Sequence, residues 1–200
     1  MLARLDSYKS HFMISLSAGL LQVRYTKCRD RLSHVIGILD EESFIPLFES
    51  VEGTEQEPWP SSPPMQQMVE ERFTEGAPPV LLGVGLSGNG HWSTAIDTQQ
   101  QRVLKFDIAC KISKVSNSLG SVYRVLADSM TATGPKGIGF VVQTAEGLEP
   151  QKTFQIDFNV AIGSLEISEE AKQIRVATIS PPSSIQTHRW CYEISFSGVH

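Results

Sequence analysis

Apolar and polar residues alternate along most of this chain, which is the pattern of β-strands that bury one face. The clearest case is FQIDFNVAI at 154–162, in which every second residue is apolar. The segments HRWCYEISF at 188–196 and VLKFDIAC at 103–110 repeat it. Further alternating segments lie between clusters of Gly, Pro, Asn and Ser, so we predict an all-β fold, either an antiparallel β-sandwich or a partly open barrel. The apolar positions predict a core that includes Trp92, Phe106, Phe158 and Trp190.

One segment, SSPPMQQMVEERFTEG at 61–76, departs from this pattern. Ser62 could cap a helix, Pro63 suits the first helical position, and Gly76 lies just beyond the end. The apolar positions would share one helical face: Met65, Met68, Val69 and Phe73. The segment therefore predicts one short α-helix at about residues 63–74. It could be a lid or a partner-binding element, or it could plug the open end or edge of the β-structure, and we favour the plug.

The stretch EGTEQEPWPSSPP at 52–64 is acidic and proline-rich, which is typical of a mobile loop. The residues before it are too few to form a stable core by themselves. We therefore predict a single β domain over residues 1–200, with strands on both sides of this loop contributing to it.

Charge and composition exclude some classes of protein. The net charge is −5 and no basic run is present, which argues against nucleic-acid binding. No apolar run approaches the roughly 18 residues that a membrane span needs. Three cysteines without a Cys-x-x-Cys pair indicate reduced thiols. The N-terminus resembles a signal peptide only faintly, so we expect a soluble cytoplasmic protein.

The five histidines show no metal-ligand spacing, and the chain carries no cofactor-binding motif. The sequence accordingly predicts neither a metal site nor a cofactor.

The segment SGNGHWSTAID at 87–97 carries the sharpest candidate chemistry. A three-residue loop at 88–90 would pair Leu86 with Trp92 and keep the apolar residues of both strands on one face. The next hairpin would then set either Ser93 or His91 opposite Asp107 on the polar face, with the other on the diagonal, beside Lys105. Serine, histidine and aspartate together are the residue types of nucleophilic hydrolases.

Two features argue against catalysis by this cluster. The N–H groups in the middle of a strand are committed to the sheet, and the Gly-x-Ser-x-Gly turn that exposes a serine nucleophile is absent. A row of polar residues opposite an apolar face is also what any solvated sheet shows. We therefore interpret these residues as a solvated face and assign no catalytic residue.

The same register would turn Gly83 and Gly85 outward, next to Ser93. Glycines inside a strand often mark the close approach of a ligand or another backbone. They would leave a bare trough, in which a threonine at position 85 should be tolerated unless the helix or a loop covers it. The predicted binding surface is Gly83, Gly85, His91, Ser93, Lys105 and Asp107.

Two classes of function follow. The favoured one is a non-catalytic β-sandwich module that binds an unknown ligand or protein, with a homo-oligomer as one possibility. The alternative is a small hydrolase or isomerase that uses His91, Ser93 and Asp107.

Overall fold

The computed structural model describes residues 13–40, 43–98, 100–113, 119–126, 129–132, 137–142, 152–179 and 185–199, and every structural statement below concerns these residues. The N-terminal segment that faintly resembles a signal peptide lies mostly outside them. Within them the chain forms fifteen strands, numbered here in chain order, and no helix. No helix is therefore present that could cross a membrane in the described part of the chain.

The strands form two antiparallel sheets. The first sheet has seven strands, in the spatial order β1 (Ile14–Ala18), β2 (Leu21–Cys28), β3 (Arg31–Asp40), β4 (Ser43–Ser50), β9 (Gly120–Val125), β14 (Gln173–Ala177) and β13 (Ser164–Ser168). The second sheet has eight strands, in the order β10 (Ser129–Ala132), β11 (Gly137–Val142), β12 (Lys152–Ile162), β15 (Thr187–Val199), β8 (Val103–Ile112), β7 (Gly90–Asp97), β6 (Val80–Ser87) and β5 (Gln67–Glu71). The predicted antiparallel β-sandwich is confirmed.

The core lies between the sheets and draws aromatic side chains from both. Phe48 of the first sheet meets Phe158 of the second edge to face, with ring centroids 5.4 Å apart. Phe106 stacks on Tyr192 within the second sheet, at 5.0 Å. All four are buried. The alternation in β8, β12 and β15 therefore identified the buried face correctly, because polar residues between the apolar ones mark the solvent side.

The predicted helix at 63–74 is wrong. Residues 67–71 form β5, which pairs with β6 at the edge of the second sheet, and Gln66 N–H extends the ladder by donating to the Val84 carbonyl at 2.9 Å. A short helix depends on packing of its apolar face, because its own hydrogen bonds barely stabilise it. Here the open edge of β6 supplies backbone partners to these residues, and Met65 and Met68 still reach the core from an extended chain.

Residues 51–66, here called the strap, cross from the first sheet to the second. The Ser62 hydroxyl donates to the Val122 carbonyl at 3.0 Å and accepts from its N–H at 3.1 Å. Leu32 N–H donates to the Met65 carbonyl at 2.6 Å. The Ser87 hydroxyl donates to the Glu57 carbonyl at 3.1 Å. The predicted mobile loop at 52–64 is thus a segment bound to both sheets.

The β6–β7 hairpin has a different register from the predicted one. Ser87 pairs with Gly90, so the turn consists of Gly88 and Asn89 only. Gly88 adopts a left-handed φ of 55°, and the strap residue Pro58 packs against it. This register turns Leu81, Gly83 and Gly85 toward the core and the residues between them toward solvent. The predicted three-residue loop at 88–90 is wrong, and every side chain of β6 faces opposite to the prediction.

Candidate functional site

The predicted polar cluster lies on the outer face of the second sheet, but the register does not assemble a triad. His91 is level with Lys111, four residues along β8 from Asp107. At about 3.3 Å per residue, this separates them by roughly 13 Å along the strand. Ala95, and neither Ser93 nor His91, lies directly opposite Asp107. The observed pairs are His91 with Lys111, Ser93 with Ala109, and Ala95 with Asp107.

Asp107 is already engaged by a cation. Arg189 of the adjacent strand donates to both carboxylate oxygens, from Nε at 2.6 Å and from Nη2 at shorter range. A bidentate pair of this kind fixes the carboxylate and leaves it no free edge toward Ser93. Cys191 lies directly opposite Asp107, and burial, reinforced by that carboxylate, raises the pKa of its thiol. At this point of the outer face, Asp107 and Arg189 are paired with each other.

Lys105 lies level with Asp97 on one side and Glu193 on the other. With Gln100 and Val103, these residues line a cleft of about 70 Å³. Pockets for small organic ligands begin at about 300 Å³. The cleft therefore has room for water or a single polar group.

Gly83 and Gly85 lie on the inner face, so the predicted bare trough does not exist. The Met65 and Met68 sulfurs and a methyl of Thr94 surround Gly83. The backbone of Pro64 and Met65 covers Gly85 so closely that a β-carbon there would overlap the Pro64 carbonyl oxygen. The predicted association of the glycines with a close backbone is observed, but the backbone is the strap and the face is the inner one.

The outward positions of β6 carry aliphatic side chains, and Val69 lies beside them on β5, between the polar residues Gln67 and Glu71. Val69 is 51% exposed, Val84 53% and Leu86 54%. Leu82, partly exposed, lies level with Val69 and completes this group. We name Val69, Leu82, Val84 and Leu86 the outer patch. The segment VLLGVGL at 80–86 contains a signal for this patch, because its glycines alternate with aliphatic residues. If another segment packs on the glycine face, that face can lie in the core, and the aliphatic residues then lie on the outer face.

The outer face of the first sheet shows what a solvated face of this protein looks like. Its side chains make hydrogen bonds with one another along and across the strands. The observed pairs are Gln22 with Ser17 at 2.7 Å, Arg24 with Gln22 at 2.6 Å, Thr26 with Ser33 at 3.2 Å and Arg124 with Glu49 at 3.3 Å. The outer patch, by contrast, exposes side chains that cannot form hydrogen bonds. Clustered exposed aliphatic residues of this kind make the outer patch a candidate interaction site.

A chain of polar side chains crosses the core, and sequence analysis did not detect it. His34 Nε2 lies 3.1 Å from the Tyr123 hydroxyl, which lies 2.5 Å from the Tyr192 hydroxyl on the opposite sheet. Trp190 Nε1 donates to the Ser121 hydroxyl at 3.1 Å. Burial lowers the pKa of His34 to about 3, so its ring is neutral at pH 7. The adjoining cavity of about 10 Å³ has room for about one water, so this network joins the sheets and leaves no ligand space.

Glu52 lies buried where the strap leaves β4. The Ser50 hydroxyl donates to Glu52 Oε1, while Oε2 has no hydrogen-bond partner. The Arg31 guanidinium donates to the Glu52 backbone carbonyl at 3.1 Å. Burial raises the pKa of the Glu52 carboxyl to about 7, although Ser50 and Arg31 act in the opposite direction. We therefore expect the Glu52 carboxyl to ionise near neutral pH in the folded chain.

No group of three His, Cys, Asp or Glu side chains in the described part of the chain is placed to hold a metal ion. The three cysteines form no disulfide. Burial raises the pKa of Cys110 to about 12, which makes this thiol a poor nucleophile.

No protein-family model matches the chain, and no curated protein matches it. Among solved structures it is similar to a gene product described as heparinase III, with a TM-score of 0.48 and 11% identity over 94% of this chain and 36% of that chain. The same product with methylated lysines gives a TM-score of 0.47 and 9% identity over the same shares. The chain therefore spans little more than a third of the length of these structures. The name heparinase III describes that protein, and similarity at this level does not extend its activity to the present chain.

Proposed function

We propose that the chain is a non-catalytic interaction module that binds a partner through the outer patch. The observation that carries the proposal is the set of half-exposed aliphatic side chains on adjacent strands β5 and β6. Their rows continue onto β7, where Ala95 and Ser93 lie level with Leu82 and Val84. These small side chains leave the surface beside the patch shallow, so a partner can approach the sheet closely.

Covering the outer patch with a partner would be favourable, because it would remove apolar side chains from water. Burying a Val or Leu side chain completely yields about 1.5–3 kcal/mol. Three side chains that are half exposed therefore leave a few kcal/mol available to a covering surface. The outer face of the first sheet, with its hydrogen-bonded polar pairs, offers no comparable gain.

The alternative function, a hydrolase or isomerase, receives no support from the geometry of the described residues. The separation of His91 from Asp107, and the engagement of Asp107 by Arg189, argue against a Ser-His-Asp arrangement of these residues. Specific labelling of Ser93 by a serine-directed probe would favour that alternative over ours.

Site-specific photo-crosslinking tests the proposal. We would replace Val84 by p-benzoylphenylalanine and irradiate cells that produce the protein. The matched control carries the same side chain at Thr26, a surface position on the outer face of the first sheet. We expect one discrete crosslinked species from position 84 and none from position 26.

The crosslink must also depend on the patch. Adding Leu86→Lys to the position-84 variant should abolish the crosslinked species while the circular dichroism spectrum stays unchanged. Equal crosslinking from both positions, or a crosslink that survives Leu86→Lys, would show that the patch is not an interaction site.

A further inference from the structure

We infer that the partner is a second copy of this chain, stacked face to face on the outer patch with its strands running in the opposite direction. This inference rests on the proposed function, because it names the occupant of the same surface. The resulting interface would be isologous, with one two-fold axis lying in the interface across the strands.

The rows of the patch are complementary under that axis. An axis that passes between the row of Leu82 and the row of Val84 places each row over the other. Val84 then packs on Leu82 of the second copy, and the reverse contact follows by symmetry. Ser93 and Ala95, on the same rows of β7, let the two sheets come close together.

The charges at the two ends of the face are also complementary. One end row carries Lys111, which is exposed and level with His91. The other end row carries Asp97 and Glu193 on either side of Lys105. Reversing the strand direction brings the basic row of one copy over the acidic row of the other, which is the charge pattern that fixes orientation in an interface.

The angle between packed sheets sets which charges meet. With strands aligned, Lys111 would face Lys105 of the second copy. Packed sheets are rotated by about 30°. At the end rows, about 10 Å from the axis, this rotation displaces a strand by about 5 Å, which is one strand spacing. Lys111 then lies over Asp97 or Glu193 of the second copy, and both are acidic.

The size of the surface sets the strength of association. The patch with its β7 rows spans roughly 15 Å across the strands and roughly 20 Å along them. Its projected area of about 300 Å² is below the roughly 800 Å² per partner of a stable interface. We therefore expect a weak dimer that dissociates on dilution.

Two measurements on the whole chain test the inference. The position-84 crosslink should have twice the mass of the chain, and sedimentation equilibrium of the purified protein should show a monomer–dimer equilibrium. Val84→Lys should abolish the dimer, because it buries a charge in the apolar centre. Thr26→Lys, on the other sheet, should leave it unchanged.

A charge exchange tests the orientation. Lys111→Glu should weaken dimerisation about tenfold, and adding either Asp97→Lys or Glu193→Lys should restore it. Whichever exchange restores the dimer identifies the direction of the rotation. If neither exchange restores it, the antiparallel face-to-face arrangement is wrong.

The outcomes separate this inference from the proposed function. A purified chain that stays monomeric, together with a position-84 crosslink to a different protein, overturns the second copy as partner and leaves the interaction module intact. A monomeric chain without any specific crosslink overturns both.

Discussion

The two faces of strand β6 contrast in a way that is opposite to the usual rule. Its inner face carries Gly83 and Gly85, while its outer face carries Val84 and Leu86, each about half exposed. The inner space is filled by the strap and by β5: the Pro64 carbonyl and the Met65 side chain of the strap, together with the Met68 side chain of β5, occupy the positions that side chains of β6 would otherwise take.

This contrast shows that the face of a strand that lies in the core depends on which segments pack against it, as well as on its own side chains. A strand can face the core with glycines when another segment of the chain supplies the packing atoms. The aliphatic residues on the other face are then left for a surface outside the chain. The inner face of β6 is packed within the chain, and the outer face carries the surface through which we propose binding.

The largest expected effect comes from Gly85→Thr. A β-carbon there overlaps backbone that cannot move aside, so we expect a loss of more than about 4 kcal/mol in the free energy of unfolding. Urea denaturation followed by tryptophan fluorescence measures it. The matched control is Val84→Thr on the adjacent, outward position. If Gly85→Thr had the same melting temperature as the wild type, the strap backbone would not cover Gly85, and the two faces of β6 would not differ as described.

Leucine truncation on the two faces should differ severalfold. Leu81 is fully buried, so Leu81→Ala should cost about 2–5 kcal/mol through lost burial and a cavity. Leu86→Ala on the outer face should cost less than about 1 kcal/mol. Both values come from the same denaturant titration. Similar losses at the two positions would mean that Leu86 is covered within the folded monomer.

The strap that fills the inner face should respond to pH through Glu52. Its folded-state carboxyl has a pKa of about 7, above the ordinary 4.5, so its protonated form is favoured in the fold. Stability is then fully present below pH 4.5, falls as the unfolded chain ionises, and levels off above pH 7, a loss on the order of 3 kcal/mol. Glu52→Gln should abolish this loss.

The measurement is the difference in free energy of unfolding between Glu52→Gln and the wild type, taken from pH 4 to pH 8. The difference is needed because His34, with its pKa lowered to about 3, makes stability rise with pH over much of the same range. The variant should gain on the wild type as pH rises. A difference that is constant with pH would show that Glu52 ionises normally in the fold.

The smallest expected effect comes from Val84→Thr. A β-branched polar residue suits an exposed strand position, so the free energy of unfolding should change by no more than about 0.5 kcal/mol. Thermal denaturation at low protein concentration gives this value without a contribution from association. A loss above about 1 kcal/mol would place Val84 in the monomer's own core.

The strands with strict alternation could be assigned from the sequence. In β8, β12 and β15 the large apolar residues recur at every second position and the charged residues lie between them, which favours one assignment of faces, and Phe106, Phe158 and Trp190 are buried as predicted. In β6 both faces carry apolar residues or glycine, so the sequence permits two registers. The choice of the wrong one put Gly83 and Gly85 on the wrong face, because a shift of one residue exchanges the faces.

The outward position of His91, Ser93 and Asp107 could also be predicted, since these residues alternate with apolar neighbours in β7 and β8. Which of these residues lie directly opposite one another could not be predicted, because the register of two strands depends on the turn that joins them. The engagement of Asp107 by Arg189 joins residues 82 positions apart in the chain, a distance over which no local pattern carries information.

The sequence by itself determined that this chain forms β-strands that bury one face, because a side-chain period of two is a local property of the backbone. It left a sandwich and a partly open barrel as alternatives. Only the tertiary structure decided that residues 67–71 form an edge strand and not part of a helix, since the hydrogen-bonding edge of β6 had to be in place first. Only the tertiary structure also decided which face of β6 meets solvent. That choice depends on the strap, which reaches the inner face by way of contacts with β3 and β9 on the opposite sheet.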